Sequence, residues 1–113
     1  MDNRLALNQQ EQQAVEAFVS AIRKSLKGQL IETKIFGSKV KGDYSQDSDI
    51  DILIVLKERS KTLIDTLYEK LLDIELEYDS KISLTIFSQA EYQHNVDAHT
   101  PFMESLANEG VAL

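Results

Sequence analysis

Gly37-Ser38, ten intervening residues, and then Asp49-Ile50-Asp51-Ile52-Leu53-Ile54-Val55-Leu56 form the stretch on which the reading of this chain turns. The later half is the most strand-like segment of the sequence. Its apolar run over residues 52–56 predicts a strand buried on both faces, in the middle of a sheet. Asp49 and Asp51 stand two apart at its start, so a strand projects both carboxylates from the same face. Upstream, residues 30–36 alternate, with Leu30, Glu32, Lys34 and Phe36 expected on one face and Ile31, Thr33 and Ile35 on the other. Gly37-Ser38 ends that strand abruptly. Residues 39–48 are polar and read as a short turn or one-turn helix followed by a loop.

Working outward, residues 8–27 place Val15, Phe18, Val19, Ile22 and Leu26 at helical spacing, with Asn8 and Glu11 as an N-terminal capping pair and Gly28 as the stop. Ser60 is placed to cap a second long helix carrying Leu63, Ile64, Leu67, Leu71 and Ile74 along one stripe. Residues 81–87 alternate again, with Ile82, Leu84 and Ile86 inward. Ser88 with Glu91 opens a short helix, and Thr100, Pro101 and Gly110 delimit a last one with Phe102 and Leu106 as its apolar contacts. Three strands against two long helices predict a small α/β (α+β) domain, a mixed sheet with helices packed on one face.

At 113 residues the chain is expected to be a single domain, residues 1–113, with room for one core and little for a second module. Hydrophobic residues make up 42% and charged residues 27%, the balance of a soluble globular protein. No apolar run approaches the roughly 20 residues needed to span a bilayer, so no membrane role is expected. The absence of cysteine excludes a disulfide framework and thiolate metal sites, and a cytoplasmic protein fits these features. A formal net charge of −7 argues against general nucleic-acid binding, which needs a basic footprint. It does not exclude a nucleoside triphosphate, which arrives with its own metal.

Each part of the Gly-Ser and Asp-Ile-Asp constellation has a physical reason. Glycine at a strand end admits a phosphate close to the backbone, because no Cβ blocks it. If Ser38 opens a short helix, unpaired N–H groups and its hydroxyl point to that phosphate. Two same-facing carboxylates repel one another unless a divalent cation lies between them, and hard oxygen donors together with triphosphate oxygens favour Mg²⁺ or Mn²⁺. Four fixed residues at this spacing arise by chance on the order of once per thousand chains of this length. The plainer reading is a tight turn at Gly37 and a solvent-facing aspartate pair.

The run from Ile35-Phe36-Gly37-Ser38-Lys39-Val40-Lys41-Gly42-Asp43 through Asp47-Ser48-Asp49-Ile50-Asp51-Ile52-Leu53-Ile54 resembles the signature of the DNA polymerase β-like nucleotidyltransferases. More narrowly, the chain looks like the minimal nucleotidyltransferases of prokaryotes in length, element order and the tail from Thr100-Pro101-Phe102 to Val111. The resemblance implies that fold, with Gly37 and Ser38 on the triphosphate of ATP and Asp49 and Asp51 as catalytic metal ligands. Lys39 and Lys41 occupy positions where the family often has arginine; they are expected to neutralise phosphate, or else to be solvated lysines on a turn. Such proteins are often paired with a helical HEPN ribonuclease, so the resemblance also implies an antitoxin that transfers AMP to a tyrosine of that toxin.

One departure from the family pattern stands out. The family commonly carries a third carboxylate on the next strand, and Ser83 occupies that place here. Serine cannot accept a proton from an acceptor hydroxyl at neutral pH. Asp79 lies four residues upstream, roughly 13 Å along an extended strand, and reads more naturally as the end of the preceding helix. An antitoxin acting by binding alone, and transfer to a small hydroxyl compound, are the rival functions. Tyr44 in the loop is a candidate to stack on a base, and His94 and His99 read as surface histidines rather than zinc ligands.

Overall fold

A computed structural model describes residues 5–42 and 48–113 of the chain. Helix α1 spans Gln9–Ser25, strand β1 Leu30–Phe36, a single 3₁₀ turn η1 Gly37–Lys39, strand β2 Ile50–Leu56 and helix α2 Lys61–Tyr78. Strand β3 (Ile82–Ser88), helices α3 (Gln89–Asp97) and α4 (Pro101–Glu109), and a short strand β4 (Val111–Ala112) complete it. The caps are those expected from the sequence. Asn8 and Glu11 form a reciprocal capping box, as do Ser88 and Glu91, while Ser60 and Thr100 each accept from the third residue of their helix.

The sheet runs in the order β3-β2-β1-β4. Strands β1 and β2 pair antiparallel, as do β1 and β4, whereas β2 and β3 pair parallel across the α2 crossover. The sheet is therefore mixed, and β2 lies inside it with residues 52–56 all buried, as its apolar run requires. Ile50, Ile52, Ile54 and Leu56 face the main core, where they meet Phe18 and Ile22 of α1 and Leu67, Leu71 and Ile74 of α2.

Three features differ from the sequence-based expectation. A bulge between Leu30 and Glu32 shifts the register of β1. Leu30 consequently packs on the main core beside Ile35, and Ile31 is left 41% exposed instead of sharing their face. Strand β4 is an addition, since two residues carry no readable periodicity. It is held by Leu113 N–H donating to the Thr33 carbonyl, and by Arg23 donating to the Leu113 carbonyl.

The third difference concerns the second face of the sheet. In addition to the two long helices on one side, α3 and α4 cover part of the other. There Leu53 and Val55 of β2 are buried with Met103 and Leu106 of α4, joined by Phe36, Phe87, Tyr92 and Phe102. Phe102 packs edge-on to Phe36 at 5.4 Å between ring centroids. Truncating a buried leucine removes transfer energy and leaves a cavity. Leu53→Ala is thus expected to destabilise the fold by about 2–5 kcal/mol in urea unfolding; a loss under about 0.5 kcal/mol would mean that this face is open to solvent.

Candidate active site

Strand pairing brings the sequence motifs together. Phe36, the last residue of β1, is the register partner of Asp51, and Asp51 is in turn the partner of Ser83 on β3. Register partners share a face, so Phe36, Asp51 and Ser83 form one row across the end of the sheet. The next row is Lys34, Leu53 and Thr85. The site therefore lies on the α3/α4 face, at the margin of the aromatic cluster, and opposite the two long helices.

Gly37 follows directly, with φ at +82°. A Cβ built there would lie 2.3 Å from Oδ2 of Asp51, so the carboxylate rests against the bare Cα of the glycine. Any other residue would both strain the backbone and push the carboxylate away. The turn η1 then closes with the N–H groups of Val40 and Lys41 donating to the Gly37 carbonyl at 3.1 and 3.2 Å. As the first residues of a helical turn, Gly37 and Ser38 have N–H groups without partners inside that turn. Ser38 is half-buried beside them.

The electrostatics of the aspartates are those of a site short of positive charge. Partial burial, and then the negative charge of Asp49, push the Asp51 carboxyl above the ordinary carboxylate value of 3.8. Asp49 sits exposed immediately before β2. No group of three or more histidine, cysteine, aspartate or glutamate side chains is assembled among the described residues. Two carboxylates fit a Mg²⁺ or Mn²⁺ ion, because such ions are commonly held by one or two carboxylates plus substrate phosphates.

The two lysines part company. Lys41 is 58% exposed and forms an ion pair with Glu109 of α4 at 3.3 Å, a surface contact worth little against a polyanionic ligand. Lys39, by contrast, is not the solvated lysine that the sequence offers as one of two readings. Its side chain is fully buried, with Nζ 2.9 Å from Oε2 of Glu11. Burial of an ammonium needs a paired carboxylate, and the residue that caps α1 supplies it. The sequence marked Glu11 only as a cap; nothing in the chain's local pattern ties it to Lys39.

Ser83 is exposed next to Asp51 as its register partner on β3. Asp79 ends α2 in the left-handed conformation at φ 49° and does not enter the Asp51 row. A polar cleft of about 410 Å³ beside the N-terminal ends of β2 and β3 is lined in part by Ser48, Asp79, Ser80 and Lys81. Tyr44 lies outside the described residues.

The raised Asp51 pKa fixes a sign for stability. Between the ordinary carboxylate value and the raised one, the folded chain holds more protons than the unfolded chain, so stability falls as pH rises through that window. Asp51→Asn removes the penalty. In metal-free protein it is expected to raise the thermal midpoint at neutral pH, with the gain vanishing below about pH 4. A lowered midpoint, or a gain independent of pH, would contradict the strained-carboxylate reading.

Comparison with known proteins bears directly on this site. The family model described as Polymerase beta, Nucleotidyltransferase matches residues 21–108, which include the turn and both aspartates. A Methanocaldococcus jannaschii protein provisionally named a protein adenylyltransferase is 33% identical over 99 residues, covering 86% of this chain and 92% of that one. A second protein of that organism, with the same provisional name, is 44% identical over 45 residues, which reach only 40% of this chain and 45% of the relative. A crystal structure from Sulfolobus solfataricus, provisionally titled a nucleotidyltransferase, aligns over 88% of this chain and 84% of that one with 20% identity and a TM-score of 0.44. The chain belongs to the polymerase β nucleotidyltransferase family.

Proposed function

We propose that this chain transfers AMP from ATP, with Mg²⁺ or Mn²⁺, to a tyrosine of a partner HEPN ribonuclease, and so acts as the antitoxin of a two-component pair. The observation that carries the transfer reading is the convergence of Asp51 on Gly37. One end of the sheet thereby brings an aspartate pair, read as the metal ligands, to contact distance of the turn read as the phosphate cradle. The provisional naming of two relatives as protein adenylyltransferases supports a protein as acceptor.

In this reading Asp49 and Asp51 hold the cation, while the Gly37 and Ser38 N–H groups and the Ser38 hydroxyl receive the triphosphate. The metal, when bound, offsets negative charge on the phosphates and on the pyrophosphate leaving group. Lys41 leaves its weak pair with Glu109 to add positive charge from solvent. Ser83 bears on the acceptor. With serine and not a carboxylate paired to Asp51 on β3, a phenol of pKa about 10 is the easier acceptor, because it loses its proton far more readily than an aliphatic alcohol. A nucleotide attached beside an RNA-cleaving site would repel phosphate and fill the cleft.

A second reading, neutralisation by binding alone, is favoured by Ser83 itself, which leaves the Asp51 row without a general base. One experiment separates the two. Co-purified partner protein is expected to gain about 329 Da per AMP with wild-type chain and nothing with the Asp49→Asn, Asp51→Asn double variant. Transfer persisting in the double variant would refute the site assignment, and a double variant that still protects cells without adding mass would establish binding alone.

A further inference from the structure

We propose that Lys39 is a positioning residue, whose ion pair with Glu11 locks the Gly37-Ser38 turn in register with Asp51 without touching the triphosphate. The role rests on the nucleotide-binding reading of the turn given above. Lys39 ends η1, one residue after Ser38, and its side chain is wholly excluded from solvent. Its ammonium stands 2.9 Å from Oε2 of Glu11. The same carboxylate accepts the Asn8 N–H through Oε1 at 3.1 Å, and the Asn8 side chain accepts the Glu11 N–H at 2.8 Å. The backbone repeats the tether, with the Ala6 N–H donating to the Lys39 carbonyl at 2.6 Å.

A lone 3₁₀ turn of three residues is a weak structure, because its hydrogen bonds are few and poorly aligned. At its start it is held by Phe36 in the sheet. At its end, the buried Lys39 side chain ties it to the first turn of α1. Between these two anchors lie the residues read as the phosphate cradle. A buried ammonium is tolerated only where its partners are fixed around it, and the Glu11 carboxylate at 2.9 Å is one such partner. The pair therefore resists drift of the turn, and Ser38 inherits that rigidity.

Glu11→Gln is the informative variant, since glutamine preserves the capping box while removing the partner charge. Lys39→Met keeps the length of the buried chain without its ammonium. Both are to be compared with wild type and the double variant in two assays. In hydrogen exchange, the Val40 and Lys41 amides, which close the turn on the Gly37 carbonyl, are expected to exchange at least about tenfold faster in each variant, with β2 amides unchanged. In ATP titrations of transfer, KM is expected to rise at least about tenfold in each single variant, and no further in the double.

A Glu11→Gln protein that matches wild type in both assays while Lys39→Met loses ATP would overturn the proposal, because Lys39 would then act on phosphate directly. Unchanged exchange at Val40 and Lys41 would overturn it too. If Lys39→Met fails to fold, Glu11→Gln alone decides the question by the same two readouts. Absence of transfer by wild-type chain, with the exchange response intact, would sink the proposed function and still support the tether.

Discussion

The contact between the Asp51 carboxylate and the Cα of Gly37 is the constraint around which the molecule is arranged. It exists because Phe36 pairs with Asp51 across the antiparallel β1–β2 ladder, which brings the end of one strand over the start of the next. That pairing is fixed by burial. A slip of one residue would turn Asp51 into the main core and bring Leu53 and Val55 out of the aromatic cluster, so the apolar pattern of β2 enforces the position of the charge. Glycine is required twice over at position 37, once for φ +82° and once for the space the carboxylate occupies. The bulge in β1 belongs to the same logic: it returns Leu30 to the core while leaving Phe36 on the face of the site.

Placing charge at such a point costs stability, and the surroundings show how it is borne. Asp51 is held above the normal carboxylate value by burial and then by Asp49, a penalty that the cation of the proposed function would offset. Below it, the row of Leu53 and Val55 against α4 provides ordinary packing energy on the same face. Lys39 extends the arrangement to the opposite side of the turn. A charge that reads as a ligand for phosphate is instead internal, and its partner Glu11 belongs to a helix on the other face of the sheet. The site thus draws on both layers of the domain: strand pairing sets the aspartates, and α1 braces the turn.

Most of the framework was legible in the sequence because it is written locally. Caps at Asn8, Ser60, Ser88 and Thr100 each depend on a residue three positions on, and the periodicities of α1, α2, β2 and β3 are strong. The fold class followed from these. Parity along β3 put Ser83 on the face opposite Ile82, Leu84 and Ile86, while its pairing with Asp51 came only with the register of the sheet. What escaped was non-local. The β1 bulge depends on how a whole strand settles onto its neighbour, β4 is too short to carry a pattern, and the packing of Leu53 beneath α4 needs the second face of the sheet to be known. Lys39 is the clearest case. The polar stretch it opens suggests solvent, whereas its side chain is buried against a carboxylate 28 positions earlier in the chain. The roles of Gly37, Ser38, Asp49 and Asp51 were likewise suggested by spacing; the structure adds the contact between Gly37 and Asp51 and the electrostatic influence of Asp49 on Asp51.

The most direct trial of this account is crystallography of the chain soaked with Mn²⁺ and a non-hydrolysable ATP analogue, using the anomalous signal of the metal. The account predicts a manganese peak bridging the Asp49 and Asp51 carboxylates, with the phosphates of the analogue lying on the Gly37-Ser38 turn. Manganese bound elsewhere with those two carboxylates unliganded, or phosphates held away from the turn, would contradict it.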